Sequence, residues 1–119
     1  MKPSVLVIDA DENHRLLLRA QLKEEGYAAE AFPDWEAASA FLVRWPGPVA
    51  ALVYASPPAI PATRILDALG RLAKRFPLLV IASAWQTEAW RALGWPRLTV
   101  LRRPVSIGQV VEAVKAVAG

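Results

Sequence analysis

The chain contains no cysteine and a single histidine, His14. Disulfides, thiolate metal sites and cysteine nucleophiles are therefore excluded, and a histidine-built metal cluster or catalytic triad lacks its partners. Long apolar runs are also missing. The N-terminal stretch SVLVI runs directly into Asp9, Asp11 and Glu12, and later runs such as PVAALVYA are equally short. Neither a signal peptide nor the roughly eighteen residues needed to cross a bilayer is visible, so a cytoplasmic protein is expected. No glycine-rich loop follows any apolar run, which disfavours a dinucleotide or flavin role. The balance of 14 basic against 11 acidic residues leaves an excess of +3, which allows acidic partners without demanding them.

At 119 residues and 55% hydrophobic content, the chain suffices for one domain, 1–119, with one core. Residues 4–9, SVLVID, read as an apolar strand. Over 12–25 the period changes: Leu18 and Leu22 lie four apart and Leu17 adds to the same side, predicting a helix with a broad buried stripe. Asp11 is placed to cap it and Gly26 to stop it. A second strand (27–32), a helix (35–44) capped by Asp34 and stopped by PGP at 46–48, and the uncharged strand VAALVY (49–54) follow. After the turn SPPAIP come a helix (62–75) carrying Ile65, Leu66, Leu69 and Leu72 inward, and the strand LLVIAS (78–83). A short helix (85–93), the strand LTVLR (98–102) and a helix (106–118) complete the chain. Ser106 with Gln109 forms a candidate capping box for that last helix, and Val110, Val111, Val114 and Val117 supply its apolar face.

This alternation is (βα)5. Strands so free of charge require cover on both faces, which predicts an α/β, doubly wound parallel sheet between two helix layers. Ligands of such sheets sit beyond the carboxyl ends of the strands. Asp9, Tyr54, Ala82 and Arg103 are expected to converge at that edge.

Four segments, in order, carry a resemblance over essentially the full length: VLVIDADENHRLLLRAQLKEEGY, GPVAALVY with PP beyond it, FPLLVIAS, and VLRRPVSIGQVVEAV. Together they resemble the receiver domain of bacterial two-component response regulators. The resemblance implies the flavodoxin-like, CheY-like strand order 2-1-3-4-5. It also implies an aspartate at the end of the third strand that accepts a phosphoryl group, an acidic pair after the first strand that holds Mg2+, a Thr or Ser after the fourth, and a Lys before Pro after the fifth. Here the acidic pair falls on Asp9 and Ala10, with Asp11 one step later. The acceptor position, counted back from Pro58, falls on Tyr54; the hydroxyl position falls on Ala82, beside Ser83; and the Lys falls on Arg103, before Pro104.

Phosphoryl transfer through such a site needs a carboxylate nucleophile, a hard cation with oxygen ligands, and a cation with a hydroxyl to receive the phosphoryl charge. Tyr54 cannot form an acyl phosphate, and Ala10 removes a further ligand. No enzyme, no cofactor and no metal are expected, and the pocket reads as degenerate: Asp11 as an N-cap, Arg103 reaching Asp9 in a fork, His14 solvated, and Tyr54 either filling the vacated site or mimicking a switched-on state by pushing the adjacent loops. Receivers signal through the face of the fourth helix, fifth strand and fifth helix, near which Trp85, Trp90 and Trp95 fall; filling core space left by a shortened helix is an equal alternative for Trp85 or Trp90. Two such rings burying about 150 Å2 each could contribute about 7 kcal/mol gross to a homodimer or a docked protein partner. The expected function is a phosphorylation-independent pseudo-receiver; the alternatives are an atypical phosphoryl-accepting receiver and a nucleic-acid-binding domain. Nucleic acid is the disfavoured partner, because the stripe of Arg64, Arg71, Lys74 and Arg75 is interrupted by Asp67 and no aromatic platform adjoins it in the sequence.

Overall fold

The structure, a computed structural model, describes residues 3–45, 47–57 and 63–118. Pro46 of the expected helix stop and Pro58, the landmark for the acceptor position, lie outside the described residues, as does the rest of the proline turn through residue 62. Within the described residues the order is β1 (Ser4–Ile8), α1 (Glu12–Glu24), β2 (Ala28–Phe32), α2 (Trp35–Arg44), β3 (Val49–Ala55), α3 (Thr63–Leu72), β4 (Leu78–Ala82), α4 (Thr87–Arg91), β5 (Leu98–Arg102) and α5 (Ile107–Ala118). All strand pairs are parallel and the sheet order is β2-β1-β3-β4-β5.

Charge distribution explains that order. The central strands β1, β3 and β4 carry no ionisable group apart from Tyr54, and β1 and β4 are buried throughout. The two edge strands carry the exposed charges, Glu30 on β2 and Arg102 on β5. A strand between two neighbours and two helix layers has no wet face on which to place a charge, whereas an edge strand does.

The two sheet faces feed two apolar clusters. Val5, Val7, Val53, Leu79 and Ile81 meet Leu18 and Leu22 of α1 and Val110, Val111 and Val114 of α5. Leu6, Ile8, Leu52, Tyr54, Val80 and Ala82 meet Trp35 and Ala38 of α2, Ile65 and Leu69 of α3, and Trp90. This alternation is the two-residue period of a strand displayed on both sides. The buried stripe of α1 is narrower than its sequence suggests. Leu17 is 56% exposed, because one residue turns a helix through about 100°, away from the line through Leu18 and Leu22.

The helix ends follow local chemistry. Asp11 accepts from the His14 amide at 3.0 Å and Asp34 from the Ala37 amide at 2.9 Å. Gly26, at φ 95°, closes α1: its amide donates to the Lys23 carbonyl while the Tyr27 amide reaches back to Leu22, the double bond pattern that a left-handed residue makes possible. At α5 the Ser106 amide donates to Gln109 Oε1 at 2.8 Å and the Gln109 amide to Ser106 Oγ at 3.1 Å. Leu79→Ala is expected to cost about 2–5 kcal/mol in denaturant-unfolding free energy, while Leu16→Ala, at a half-exposed position, stays within about 0.5 kcal/mol of the parent.

Candidate functional site

Beyond the carboxyl end of β1 the chain turns so that Asp9 is 1% exposed. A buried carboxylate must find partners or lose its charge. Asp9 Oδ1 accepts the Asp11 amide at 3.0 Å, and Oδ2 is in short contact with Nδ1 of His14, whose side chain remains one-third exposed. The Asp9 backbone is fixed as well, its amide donating to the Phe32 carbonyl at 2.9 Å and its carbonyl accepting Arg15 Nη1 at 2.8 Å. The first turn of α1 thus supplies three devices for one position: an amide, an imidazole and a guanidinium.

Asp9, Asp11, His14, Ser56, Arg103 and Pro104 border one cleft of about 340 Å3. Arg103 enters it from the end of β5, its own amide tied to the Ala82 carbonyl at 2.9 Å. Its guanidinium does not fork onto Asp9; it donates to Ser56 Oγ. That is a correction of the expected Arg103–Asp9 pair: Asp9 takes its partners from the neighbouring turn, the Asp11 amide and the His14 ring, while the guanidinium meets Ser56 at the end of β3. His14 is likewise not a freely solvated helix residue. Ser56 sits just past β3 at φ 54°, in the left-handed region that costs a side-chain-bearing residue about 1–2 kcal/mol.

The structure brings Asp9, Asp11 and Arg103 together, with Ala10 exposed beside them. Tyr54 and Ala82 do not border the cleft. Tyr54 pairs with Ile8 and Val80 in the sheet, and its ring lies 5% exposed within the cluster that covers α2 and α3. Burial raises its hydroxyl pKa, and the carboxylates of Glu36 and Asp34 raise it further. Ser83 belongs to a turn: its amide donates to Gln86 Oε1 at 3.2 Å and its carbonyl accepts Thr87 Oγ1 at 3.0 Å. The residues sequence reasoning missed are His14 as the partner of Asp9 and Ser56 as the partner of Arg103. The first could have been suspected from a histidine five positions after a strand-end aspartate, on the first turn of the helix that follows; the second had no local signal, since 47 positions separate the pair.

The arrangement does not fit Mg2+. Both Asp9 oxygens are engaged, Ala10 offers no ligand, Asp11 caps α1, and Tyr54 is a phenol within the core. Among the described residues no group of three or more His, Asp or Glu is placed to hold a metal ion. Trp90, expected on a binding face, is 3% exposed and belongs to the core, because the five-residue α4 leaves space that an indole fills. Trp95 is half-buried against α3, and Trp85 alone of the three stands out, at 72% exposure.

No protein-family model and no curated protein sequence matches the chain. Solved structures do. A response regulator receiver protein from Pseudomonas putida superposes with a TM-score of 0.73 at 21% identity, covering 98% of either chain. A response regulator receiver domain protein from Clostridium thermocellum gives 0.78 at 12% identity, over 98% of this chain and 94% of that one. The Francisella response regulator 1452 receiver domain gives 0.77 at 19%, over 98% and 97%. The fold is the five-stranded, CheY-like (βα)5 fold of receiver domains. Among the described residues no helix is long and apolar enough to cross a membrane.

Two outcomes follow for this site. His14→Ala should lower the unfolding free energy by about 1–3 kcal/mol by stripping a buried carboxylate of a partner, and with Asp9→Asn the two changes should fall short of additivity by at least about 0.5 kcal/mol in a double-mutant cycle. Because the folded pKa of Tyr54 is raised, its contribution to stability is complete below the ordinary tyrosine value of about 10 and is lost as pH climbs through the folded value. Unfolding free energy measured across the alkaline range should therefore decline less steeply in Tyr54→Phe than in the parent.

Proposed function

We propose that the chain is a phosphorylation-independent member of the receiver family, a protein interaction or dimerisation module in bacterial signal transduction or transcription control. The observation that carries this is the buried phenol of Tyr54 at the end of β3, where no carboxylate is available to take a phosphoryl group. An acyl phosphate needs a carboxylate oxygen, and a phenol whose pKa burial has raised is a poor nucleophile at neutral pH. The remaining polar groups support the same conclusion. Asp9 is held by the Asp11 amide and the His14 ring, and Arg103 is spent on Ser56. These contacts tie Asp9 to the first turn of α1 and the end of β5 to Ser56 without a covalent signal.

The binding surface is the face of α4, β5 and α5, with Trp85 as its anchor. Trp85, 72% exposed beside α4, offers most of an indole to a partner, a side chain with large contact area and enriched at binding hot spots. Since Trp90 is in the core, one ring rather than two is available, and the gross gain from burying it falls to about 4 kcal/mol. That suits a modest, reversible contact.

Titration with Mg2+ and beryllofluoride, followed by amide NMR shifts, is expected to leave Asp9, Tyr54 and Ala82 unmoved; saturable shifts at those three would mean a live phosphoryl switch. Trp85→Ala is expected to reduce self-association or partner affinity at least tenfold by light scattering or titration calorimetry. An unchanged mass and affinity would remove this ring from the interface.

A further inference from the structure

The end of the sheet opposite the Asp9 cleft carries a feature that the proposed interaction role does not use. A cleft of about 580 Å3 opens at the amino ends of β3, β4 and β5, with Arg75 and Arg97 at its border. Beside it, sharing Pro96, is a hollow of about 370 Å3 bordered by Arg71, Lys74, Asp67 and Trp95. The two concavities adjoin at Pro96 as a two-part groove, whose described border carries four cations and one carboxylate. Arg71, Lys74, Arg75 and Arg97 are all exposed, and the ion pairs among the described residues use none of them. Arg97 Nη1 donates to the Arg75 carbonyl at 3.1 Å, which pins one guanidinium beside the residue that bears the other. Holding like charges together without a counter-charge is unfavourable unless an anion arrives.

Tertiary packing also provides what the basic stripe lacks in sequence. Trp95 lies directly over α3 at Gly70, so close that a Cβ there would stand 3.2 Å from the indole. An aromatic is thereby set beside Arg71 and Lys74 from 21 or more positions away along the chain. Arg64, the outlying member of the stripe, is 3.5 Å from Glu36 and does not belong to the groove.

We propose that this groove binds single-stranded nucleic acid, its cations meeting successive phosphates and Trp95 offering an edge or face to a base. A groove with charges spread along its length and an indole at one side matches the stacking-and-phosphate mode of strand binding. Among the described residues no helix stands out from it to enter a duplex groove. An extended acidic peptide could satisfy the cations but would have no use for the indole.

The test uses the 119-residue chain and a fluorescein-labelled single-stranded oligothymidylate of about twelve nucleotides, followed by anisotropy at several salt concentrations. Saturable binding is expected, with log K falling against log salt at a slope of about −2 to −3, that is about −0.7 for each phosphate neutralised by three or four cations. Arg75→Glu with Arg97→Glu should weaken binding at least tenfold, whereas Lys23→Glu with Arg44→Glu, the same charge change on exposed positions of α1 and α2, should not; circular dichroism checks that both fold. Trp95→Leu should weaken binding several-fold at an unchanged salt slope. Absence of saturable binding at low salt, equal losses in the two double variants, or equal competition by a glutamate-rich peptide of matched charge would each overturn the proposal.

Discussion

Burial of the central sheet on both faces is the constraint from which the rest of this molecule follows. Val5, Leu6 and Val7 of β1 are fully buried, and so are Leu78, Leu79 and Val80 of β4. Each therefore needs apolar neighbours above and below, which only two helix layers provide. That requirement fixes which helices lie on which side. It sends ionisable groups to the edge strands and to the two ends of the sheet. Those ends are where polar side chains from different strands come together.

At the carboxyl end the consequence is visible in Asp9. The residue directly follows a strand whose every side chain is buried, so its carboxylate begins inside the protein and must be satisfied there. The first turn of α1 supplies the Asp11 amide and the His14 ring. A group stabilised in this way is less available for ion binding, since recruiting it to a cation would mean giving up contacts that offset its desolvation. The same reasoning covers Tyr54. Its phenol is compatible with the core only while protonated, and the nearby carboxylates of Glu36 and Asp34 act in the same direction.

The tryptophans show how one residue type is divided by its surroundings. Trp35 and Trp90 complete the α2–α3–α4 side of the core, Trp95 packs over Gly70, and Trp45 stacks on Phe41 with centroids 5.3 Å apart. Trp85 is left outside. A short α4 is the physical reason that Trp90 turns inward, for a single turn and a half of helix brings too few side chains to cover β4 and β5 without it.

Strand count, parallel topology, the cap residues Asp11, Asp34 and Ser106, and the valine face of α5 were legible in the sequence, because each depends on periodicity or on contacts within four residues. The sequence also determined that the end of β3 has no carboxylate, since that is a matter of composition. Which groups meet across the sheet ends was decided only by the tertiary structure: Arg103 with Ser56, Arg97 with Arg75, Trp95 with Gly70. Even the local choice of His14 over Arg103 as the partner of Asp9 required it. The choice turns on the distance and burial at which competing donors approach one acceptor, and linear spacing does not encode those.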